Sequence, residues 1–393
     1  MFPKLRFKEF DDDWSPYVLK DFVSFRKGKG ISKADISENG INECIRYGEL
    51  YTTYGQVIDH IHSKTNVSKS ECILSKAGDV IIPASGETQI DIATASCVLH
   101  DDIILSGDLN ILSHEENGSW LAYYLSSAKK LEIAQLAQGN SVVHLYSSQL
   151  KDLKINKPSK EEQTKIASFL SNVDEKISQL TKKHELLSQY KQGMMQKLFS
   201  QQIRFRADDG SEFGEWASEK ISKVFTNKSK SFNPLLNESL PCIELEHLSQ
   251  NTGQILGTVN SSDQQSTKNL FEPNSVLYGK LRPYLRKFDK PQFKGVCSSE
   301  IWVLTGLKIS NDYLFQFVQS EQFTELTNIQ SGSKMPRADW NVIADSEIEF
   351  PCLEEQTKIA NFLSAIDQKI EVVAQQIEQA KQWKKGLLQQ MFV

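Results

Sequence analysis

The densest cluster of side chains that could bind a polyanion lies between residues 280 and 294. Tyr284 and Phe288 are interleaved with its cations, so the segment offers charges for phosphates and rings that can stack on bases. We predict DNA contacts from its first four cations, while a solvated loop that keeps the protein soluble stays the alternative. Only Asp289 opposes the six basic residues, which are Lys280, Arg282, Arg286, Lys287, Lys290 and Lys294.

Smaller groups of polar and basic residues offer the same kind of chemistry elsewhere. Two cations follow a predicted helix near residue 329, two lysines flank Gly28, and a polar stretch spans residues 138–144. Amide side chains can pair with adenine and arginine with guanine, so these residue types suit base reading in a groove. We add six of them to the predicted DNA-binding set: Lys27, Lys29, Asn140, His144, Lys334 and Arg337.

Signatures of catalysis and of metal binding are missing from the sequence. It contains no Walker loop, no GxGxxG after a strand, no HExxH, no GxSxG and no Asn-Pro-Pro-aromatic motif. His60 and His62 lie in a polar stretch that predicts a solvated strand or loop. The six cysteines form no CxxC pair and predict reduced thiols. We therefore expect no catalytic residue, no metal site and no cofactor in this chain.

Length and composition indicate a globular protein of two or three domains. The chain has 393 residues, of which 39% are hydrophobic and 24% charged, which excludes wholesale disorder and collagen-like repeats. It shows neither a signal peptide nor a membrane-spanning run, so we expect a cytoplasmic protein without a membrane partner. The formal net charge is −5, whereas nucleic-acid binders usually carry a basic excess. Any DNA binding would depend on local clusters or on a partner.

The elements that must position these residues are duplicated. Residues 158–177 recur as residues 351–370, with fourteen of twenty positions identical at an offset of 193. The offset continues to the chain end, where residues 190–199 match residues 383–392. Between these repeats, residues 15–157 and 217–350 resemble each other only faintly. We therefore predict a two-fold internal duplication in which two similar frames hold two different inserts.

Each repeated segment predicts a long helix with a coiled-coil seam. Apolar residues recur in alternating steps of four and three over four or more heptads, although His184, Lys191 and Lys384 also occupy seam positions. Ser159 and Glu162 predict a capping box at the first helix start, which Cys352 replaces in the second copy. We predict that the helices pack antiparallel on one another, rather than each lying only on its own core. The seam residues are Ile166, Leu170, Val173, Ile177, Leu180, Ile359, Leu363, Ile366, Ile370 and Val373.

The inserts predict an α+β fold. In the first, residues 44–50, 79–82 and 109–112 read as strands and residues 120–137 as one helix; in the second, residues 275–278, 300–304 and 347–350 read as strands and residues 313–329 as one helix. The predicted fold class is α+β, with two domains joined by two long helices in pseudo-two-fold symmetry. Its segments are residues 1–157 (first domain), 158–200 (first helix), 201–350 (second domain) and 351–393 (second helix).

The duplicated motif resembles the specificity subunit of bacterial type I restriction-modification systems. Residues 158–177 and 351–370 carry the resemblance, together with residues 278–285, which are typical of the family's recognition domains. The first insert departs from that pattern, with residues 79–85 where the basic version would stand. The resemblance implies that each insert is a target recognition domain for one half of a split DNA sequence, and that the helices set the gap between the halves.

The resemblance also implies partners. Double-stranded DNA would be bound together with two methyltransferase subunits docked on the helices, and two restriction subunits would complete the complex. S-adenosylmethionine, ATP and Mg²⁺ would belong to those partners, and this chain would place their chemistry without performing it. Two other functions stay open from the residues alone: a coiled-coil scaffold whose inserts bind protein, and a nuclease or methyltransferase with its own active site.

Overall fold

The fold consists of two compact units. The computed structural model describes residues 3–139, 142–329 and 335–392. Met1–Thr181 and Gln375–Val393 form the first unit, and Lys182–Ala374 form the second. The predicted boundaries at residues 157, 200 and 350 follow the ends of the long helices, whereas the units divide each helix near its middle. Each unit therefore contains one predicted recognition domain and part of both helices.

The two long helices start where the repeat predicts. The first long helix spans Lys160–Phe199 and the second spans Leu353–Met391. The Glu162 amide donates to Ser159 Oγ at 3.3 Å, which is the predicted N-cap bond. The predicted capping box also requires the Glu162 carboxylate to accept from the Ser159 amide, but this carboxylate accepts bonds from other side chains. Ser159 thus caps the helix, while the Glu162 side chain makes contacts outside it.

A buried carboxylate ties a short strap at the start of each recognition domain, residues 6–14 and 204–216, to a long helix. Glu162, 1% exposed at its side chain, accepts two bonds of 2.7 Å from Arg6 and one of 3.3 Å from Trp14 Nε1. In the second unit, Glu355 accepts bonds of 3.1 and 2.7 Å from Arg204 and one of 3.2 Å from Trp216 Nε1. A paired arginine and an indole N–H satisfy a charge that would otherwise be costly to bury. The two straps are therefore held by the same chemistry.

The predicted seam is buried and the helices run antiparallel. Asp174 contacts Lys384 in the first unit, and Lys191 contacts Asp367 in the second, so residue numbers rise on one helix as they fall on the other. Ile177 and Ile370 are half-buried and the other eight seam residues are buried. In the first unit the seam packs with Leu387 and Met391 and with the domain core. The predicted pairing of the helices is confirmed, and each seam also closes a domain core.

The first unit is built on two small sheets that share one core region. The five-stranded sheet contains, in spatial order, Ser24–Lys27, Leu109–Ser113, Val80–Pro83, Ser96–Val98 and Val57–Ile58. The four-stranded sheet contains Ser63–Thr65, Asn42–Ile45, Ile104–Leu105 and Ile73–Leu74. Two-stranded pairs join Ser15–Val18 to Lys154–Lys157 and Val143–His144 to Ser85–Gly86. The helices besides the first long one are Glu49–Thr52, Gln89–Ile92, Gly118–Ser127, Lys130–Leu136 and Ser147–Leu150.

The second unit repeats this plan. One sheet contains Phe225–Thr226, Ile301–Gly306, Val276–Gly279 and Phe288–Asp289. The other contains Ser231–Phe232, Lys268–Phe271, Gly295–Cys297, Pro241–Ile243 and Val259–Asn260, and Ala217–Lys220 pairs with Glu347–Phe350. The shorter helices are Ile221–Val224, Asn311–Phe317, Glu321–Asn328 and Trp340–Asp345. In both units the second sheet contains one parallel pair, Asn42–Ile45 with Ile104–Leu105 and Pro241–Ile243 with Gly295–Cys297.

Each of the two single helices predicted in the inserts is broken into two. In the second unit the break falls at residues 318–320, where Ser320 Oγ caps the following helix by accepting from the Phe323 amide at 3.2 Å. Serine side chains compete for backbone bonds in this way, and apolar periodicity does not register it. The strand predicted over residues 44–50 is also too long, because it ends at Ile45 and a short helix begins at Glu49. None of the helices in the described ranges is both long and apolar enough to cross a bilayer.

Substitution of a buried seam residue by aspartate tests whether the helix seam is a packed apolar core. Leu170 is fully buried, so Leu170→Asp should lower the free energy of unfolding by about 4 kcal/mol or more, because the charge would lie unpaired in an apolar core. Leu363→Asp is the equivalent change in the second unit. Urea denaturation of the full chain followed by circular dichroism would measure both.

Leu186→Asp is the matched control for the seam substitutions. Leu186 lies on the same helix as Leu170 but is 53% exposed, so the same change should cost only about 0.5 kcal/mol. Equal losses of stability at Leu170 and Leu186 would contradict the seam.

Candidate nucleic-acid interface

In both units the candidate loop follows the same strand of the corresponding sheet. Val276–Gly279 lies between Ile301–Gly306 and Phe288–Asp289, and residues 280–287, named here the basic loop, follow it. Val80–Pro83 lies between Leu109–Ser113 and Ser96–Val98, and residues 84–88, named here the first-unit loop, follow it. The strand pairing therefore supports the sequence comparison that set residues 79–85 against the basic motif.

The basic loop has a fixed and unusual backbone. Arg282 and Arg286 both adopt the left-handed region, with φ of 52° and 47°, on either side of the short 3₁₀ helix Pro283–Leu285. A residue with a Cβ atom pays about 1 kcal/mol or more for this conformation, so the surroundings must impose it. The Arg282 amide donates to the Pro336 carbonyl at 2.7 Å, and the Arg286 carbonyl accepts from the Asn251 amide at 3.0 Å. The loop is thus tied to two neighbouring segments.

Two of the predicted DNA-binding cations also support this loop. Arg286 Nη2 donates to the Gln319 carbonyl, and Lys287 Nζ donates to the Leu245 carbonyl at 2.6 Å. Both side chains belong to half-buried residues. DNA contact by Arg286 and Lys287 stays a prediction, and their bonds give them a role that the sequence did not indicate.

In the part of the chain that the structure describes, two cations of the basic loop are not engaged in ion pairs and could contact a ligand. Arg282 and Tyr284 are exposed and Lys280 is half-buried, and neither Lys280 nor Arg282 has an ion-pair partner within the described ranges. Arg337 forms two bonds of 3.1 Å with Glu300, so part of its charge is already compensated. Lys334 lies outside the described residues. The surface offered by this loop is therefore Lys280, Arg282 and Tyr284, beside a paired Arg337.

The rest of the basic cluster is internally neutralised. Lys290 pairs with Asp312 and lies over the ring of Phe315, and Lys294 pairs with Glu272 at 3.0 Å. These pairs partly compensate the charge of two of the six cations that the sequence suggested. The charge on the loop is consequently more local than the count of basic residues implies.

His144 and Arg337 occupy matching positions. His144 pairs with Ser85 near the start of the first-unit loop, and Arg337 forms a bridge with Leu281 near the start of the basic loop. The two residues are also separated by the repeat offset of 193. His144 is exposed and its ring stacks with Tyr146 at a centroid distance of 6.3 Å. Asn140, the other candidate in this stretch, lies outside the described residues.

Lys27 and Lys29 have counterparts that sequence reasoning missed. Phe25 pairs with Leu112 and Thr226 with Thr305, and the partners 112 and 305 are separated by 193. Lys228 and Lys230 therefore stand in the second unit where Lys27 and Lys29 stand in the first. All four lysines are exposed. Their own separation is 201 residues, so the repeat offset could not reveal them and only strand pairing does.

A cleft of about 190 Å³ lies beside Lys228 and Lys230. Both lysines line it, together with Ser229, Ser275 and Thr305. Glu272 also lines the cleft, but its carboxylate is paired with Lys294. Ammonium groups beside hydroxyl donors are typical of contacts to phosphate oxygens.

Three buried cysteines have the surroundings of inert thiols. Burial raises the pKa of Cys44, Cys97 and Cys242 to about 11, so these thiols are protonated at neutral pH and are poor nucleophiles. Within residues 3–139, 142–329 and 335–392, no group of three His, Cys, Asp or Glu side chains is placed to hold a metal ion.

Comparison with known proteins gives a family match over both units. The family model described as the type I restriction modification DNA specificity domain matches residues 11–188 and again residues 215–382. The chain is 24% identical over 405 residues to the type I restriction enzyme MjaVIII specificity subunit of Methanocaldococcus jannaschii, with 96% of this chain and 91% of the relative covered. It is also 24% identical over 293 residues to the type I restriction enzyme EcoDI specificity subunit of Escherichia coli, covering 66% and 65%.

Solved structures share the fold. The S subunit of the type I restriction-modification system from M. genitalium matches with a TM-score of 0.65 and 16% identity, over all of this chain and 99% of the other. A chain from a structure that describes complex assembly and conformational transition of the type I R-M system matches with a TM-score of 0.55 and 14% identity, over 96% and 97%. These matches confirm the predicted architecture of two α+β domains and paired long helices.

The different roles of two arginines in the basic loop can be tested on the full chain. Arg286→Ala should lower the free energy of unfolding by about 1–3 kcal/mol and speed amide exchange in residues 280–287, because the part-buried Gln319 carbonyl loses a charged donor. Arg282→Ala should change the stability by about 0.5 kcal/mol or less, because its side chain is exposed. Hydrogen–deuterium exchange with urea denaturation measures both, and equal effects would contradict this division of roles.

Proposed function

The chain belongs to the type I restriction-modification DNA specificity family, and we propose that its two units read the two halves of a split DNA target, one half each. The family match covers each unit separately, which makes the chain a specificity subunit with two recognition domains. The observation that carries the proposal is the pair of loops on matching strands, 280–287 and 84–88, displayed by duplicated frames with different side chains. Two domains with the same strand arrangement but different loop side chains are suited to reading two different half-sites.

We infer that the two loops read DNA with different chemistry. Arg282 is exposed on a fixed backbone, and an arginine held in this way can form paired bonds to a guanine in the major groove. Lys280 would contact phosphate and Tyr284 would stack or pack beside the bases. The first-unit loop has no cation and includes Glu87, so reading there would depend on His144 and Tyr146, with Lys27 and Lys29 on phosphates.

We propose that the long helices set the gap between the half-sites. They contain 40 and 39 residues, and a helix of this length spans roughly 60 Å. At 3.4 Å per base pair, this length is of the right order for half-sites that are separated by several base pairs. The duplicated outer faces of the helices would dock two methyltransferase subunits, with two restriction subunits joining them.

The proposed role is recognition without catalysis. The methyltransferase partners would flip an adenine and supply S-adenosylmethionine, and the restriction partners would use ATP and Mg²⁺. This chain would position them on cytoplasmic DNA. The scaffold alternative predicts that the loops can be changed without loss of methylation, and the enzyme alternative predicts binding of S-adenosylmethionine or Mg²⁺ by the chain alone.

Domain exchange combined with methylation sequencing tests the reading of two half-sites. Deleting the gene should remove one gapped, two-part adenine-methylation motif from the genome of the source strain. Replacing residues 217–350 with the insert of a related system should alter one half of that motif only, because each unit has its own sheets and core. A motif that persists after deletion, or two altered halves after the exchange, would contradict the proposal.

Salt dependence tests the missed lysine pair. In the complex with the methyltransferase, Lys228→Ala with Lys230→Ala should reduce the slope of log K against log salt by about 2, because each phosphate contact contributes about 0.9. Sequence preference should stay unchanged.

Lys220→Ala with Lys223→Ala is the control for the salt measurement. It removes the same charge from exposed positions of the same unit and should leave the slope nearly unaltered. A similar decrease in both double variants would indicate an effect of net charge alone.

A further inference from the structure

A continuous chain of polar contacts joins the helix seam to the basic loop in the second unit. Lys191 of the first long helix forms an ion pair with Asp367 of the second at 2.6 Å, and its Nζ also donates to Gln319 Oε1 at 2.7 Å. The backbone carbonyl of the same Gln319 accepts from Arg286 Nη2 in the basic loop. Four residues thus connect both helices to the loop, with Gln319 as the shared neighbour.

The position of Gln319 explains how one residue can serve both contacts. It lies in the break between Asn311–Phe317 and Glu321–Asn328, where helical carbonyls lack their usual intrahelical donors. Its Nε2 donates to the Phe315 carbonyl at 2.9 Å, which fixes the amide so that Oε1 faces Lys191. The helix break therefore supplies the carbonyl that Arg286 needs.

The burial of these groups makes the contacts specific. The Lys191 side chain is 11% exposed, so its ammonium depends on Asp367 and Gln319 in place of water. Burial lowers the pKa of Lys191, and Asp367 opposes that shift. Arg286 Nε is buried without a hydrogen-bond partner in the described part of the chain, so Nη2 to Gln319 is a principal bond of this guanidinium. Displacement of Gln319 would consequently weaken this bond and release a constraint on the left-handed backbone at Arg286.

The first unit contains the same ion pair without the same connection. Lys384 pairs with Asp174 at 2.6 Å, and these residues are Lys191 and Asp367 shifted by the repeat offset. Lys384 Nζ donates at 2.9 Å to Gln56, which precedes the strand Val57–Ile58 at the edge of the sheet. The seam pair is therefore duplicated, whereas among the described residues the link to a basic loop is found in the second unit and not in the first.

We propose that Lys191 and Gln319 are positioning residues that hold the basic loop in its reading conformation through Arg286, so that a residue inside the helix seam controls recognition of the second half-site without touching DNA. This inference rests on the proposed function. It goes beyond that function because it gives the polar position in the seam a role in sequence specificity.

The test compares Lys191→Met with the matched variant Lys384→Met in the full chain with its methyltransferase. Lys191→Met should accelerate amide exchange in residues 280–287. It should also reduce discrimination between correct and single-base-altered DNA in the second half-site by about 2- to 30-fold, the usual range for coupling through a network. Lys384→Met removes an equivalent ion pair and should leave both quantities for the second unit unchanged.

Two further variants separate positioning from loss of stability. Gln319→Leu removes the acceptor for Lys191 but retains the backbone carbonyl, and should reproduce Lys191→Met. Lys191→Arg retains a donor and should lie closer to the unsubstituted protein. Equal loss of discrimination in Lys191→Met and Lys384→Met, or unaltered exchange in residues 280–287 after Lys191→Met, would overturn the inference. If the unsubstituted complex read no split site, the proposed function would fail, and the exchange measurement would still decide the role of Lys191.

Discussion

Each recognition unit is completed by both long helices, and this constraint governs the rest of the structure. In the first unit, Leu170 from the start of one helix and Met391 from the end of the other lie in a single apolar cluster with Trp120. In the second, Leu363 and Leu198 share a cluster with Phe317. Removal of either helix would expose part of both cores, at about 25 cal/mol for each Å² of apolar surface. Each long helix begins in the core of one unit and ends in the core of the other. Both copies of the motif are therefore needed to complete both cores.

The polar residues within the seam follow from the same constraint. A coiled coil of two isolated helices would treat Lys191 and Lys384 as interruptions, since a lysine at a seam position costs stability. Here each lysine meets an aspartate of the opposite helix at 2.6 Å and an amide oxygen of its own domain. Ion pairs of this kind add little net stability, but a wrong arrangement would leave a buried charge unpaired. They therefore favour a single arrangement of helix against domain.

The parts of this architecture that repeat or alternate could be predicted from the sequence. The seam residues, the helix starts and strands such as Glu347–Phe350 depend on local periodicity and caps, and they are found where predicted. The helix break at residues 318–320 depends on the Ser320 cap, which competes for backbone bonds and which hydrophobic periodicity does not reveal. Bonds of Arg286 and Lys287 to distant carbonyls depend on tertiary contacts, so the count of basic residues overestimated the free charge of the loop.

The two candidate loops differ in charge although their frames are alike. The basic loop concentrates its free charge at Lys280 and Arg282, while the first-unit loop carries Glu87 and no cation. Every additional cation that contacts the phosphate backbone increases affinity for DNA of any sequence. A strongly basic surface would therefore raise non-specific binding together with specific binding. Under the proposed function, phosphate contacts by exposed lysines would add affinity without sequence information, so the preference for one sequence would come from a few fixed side chains. Under the proposed function, the rigid backbone around Arg282 matters more than the number of basic residues, because discrimination then depends on where one guanidinium is held.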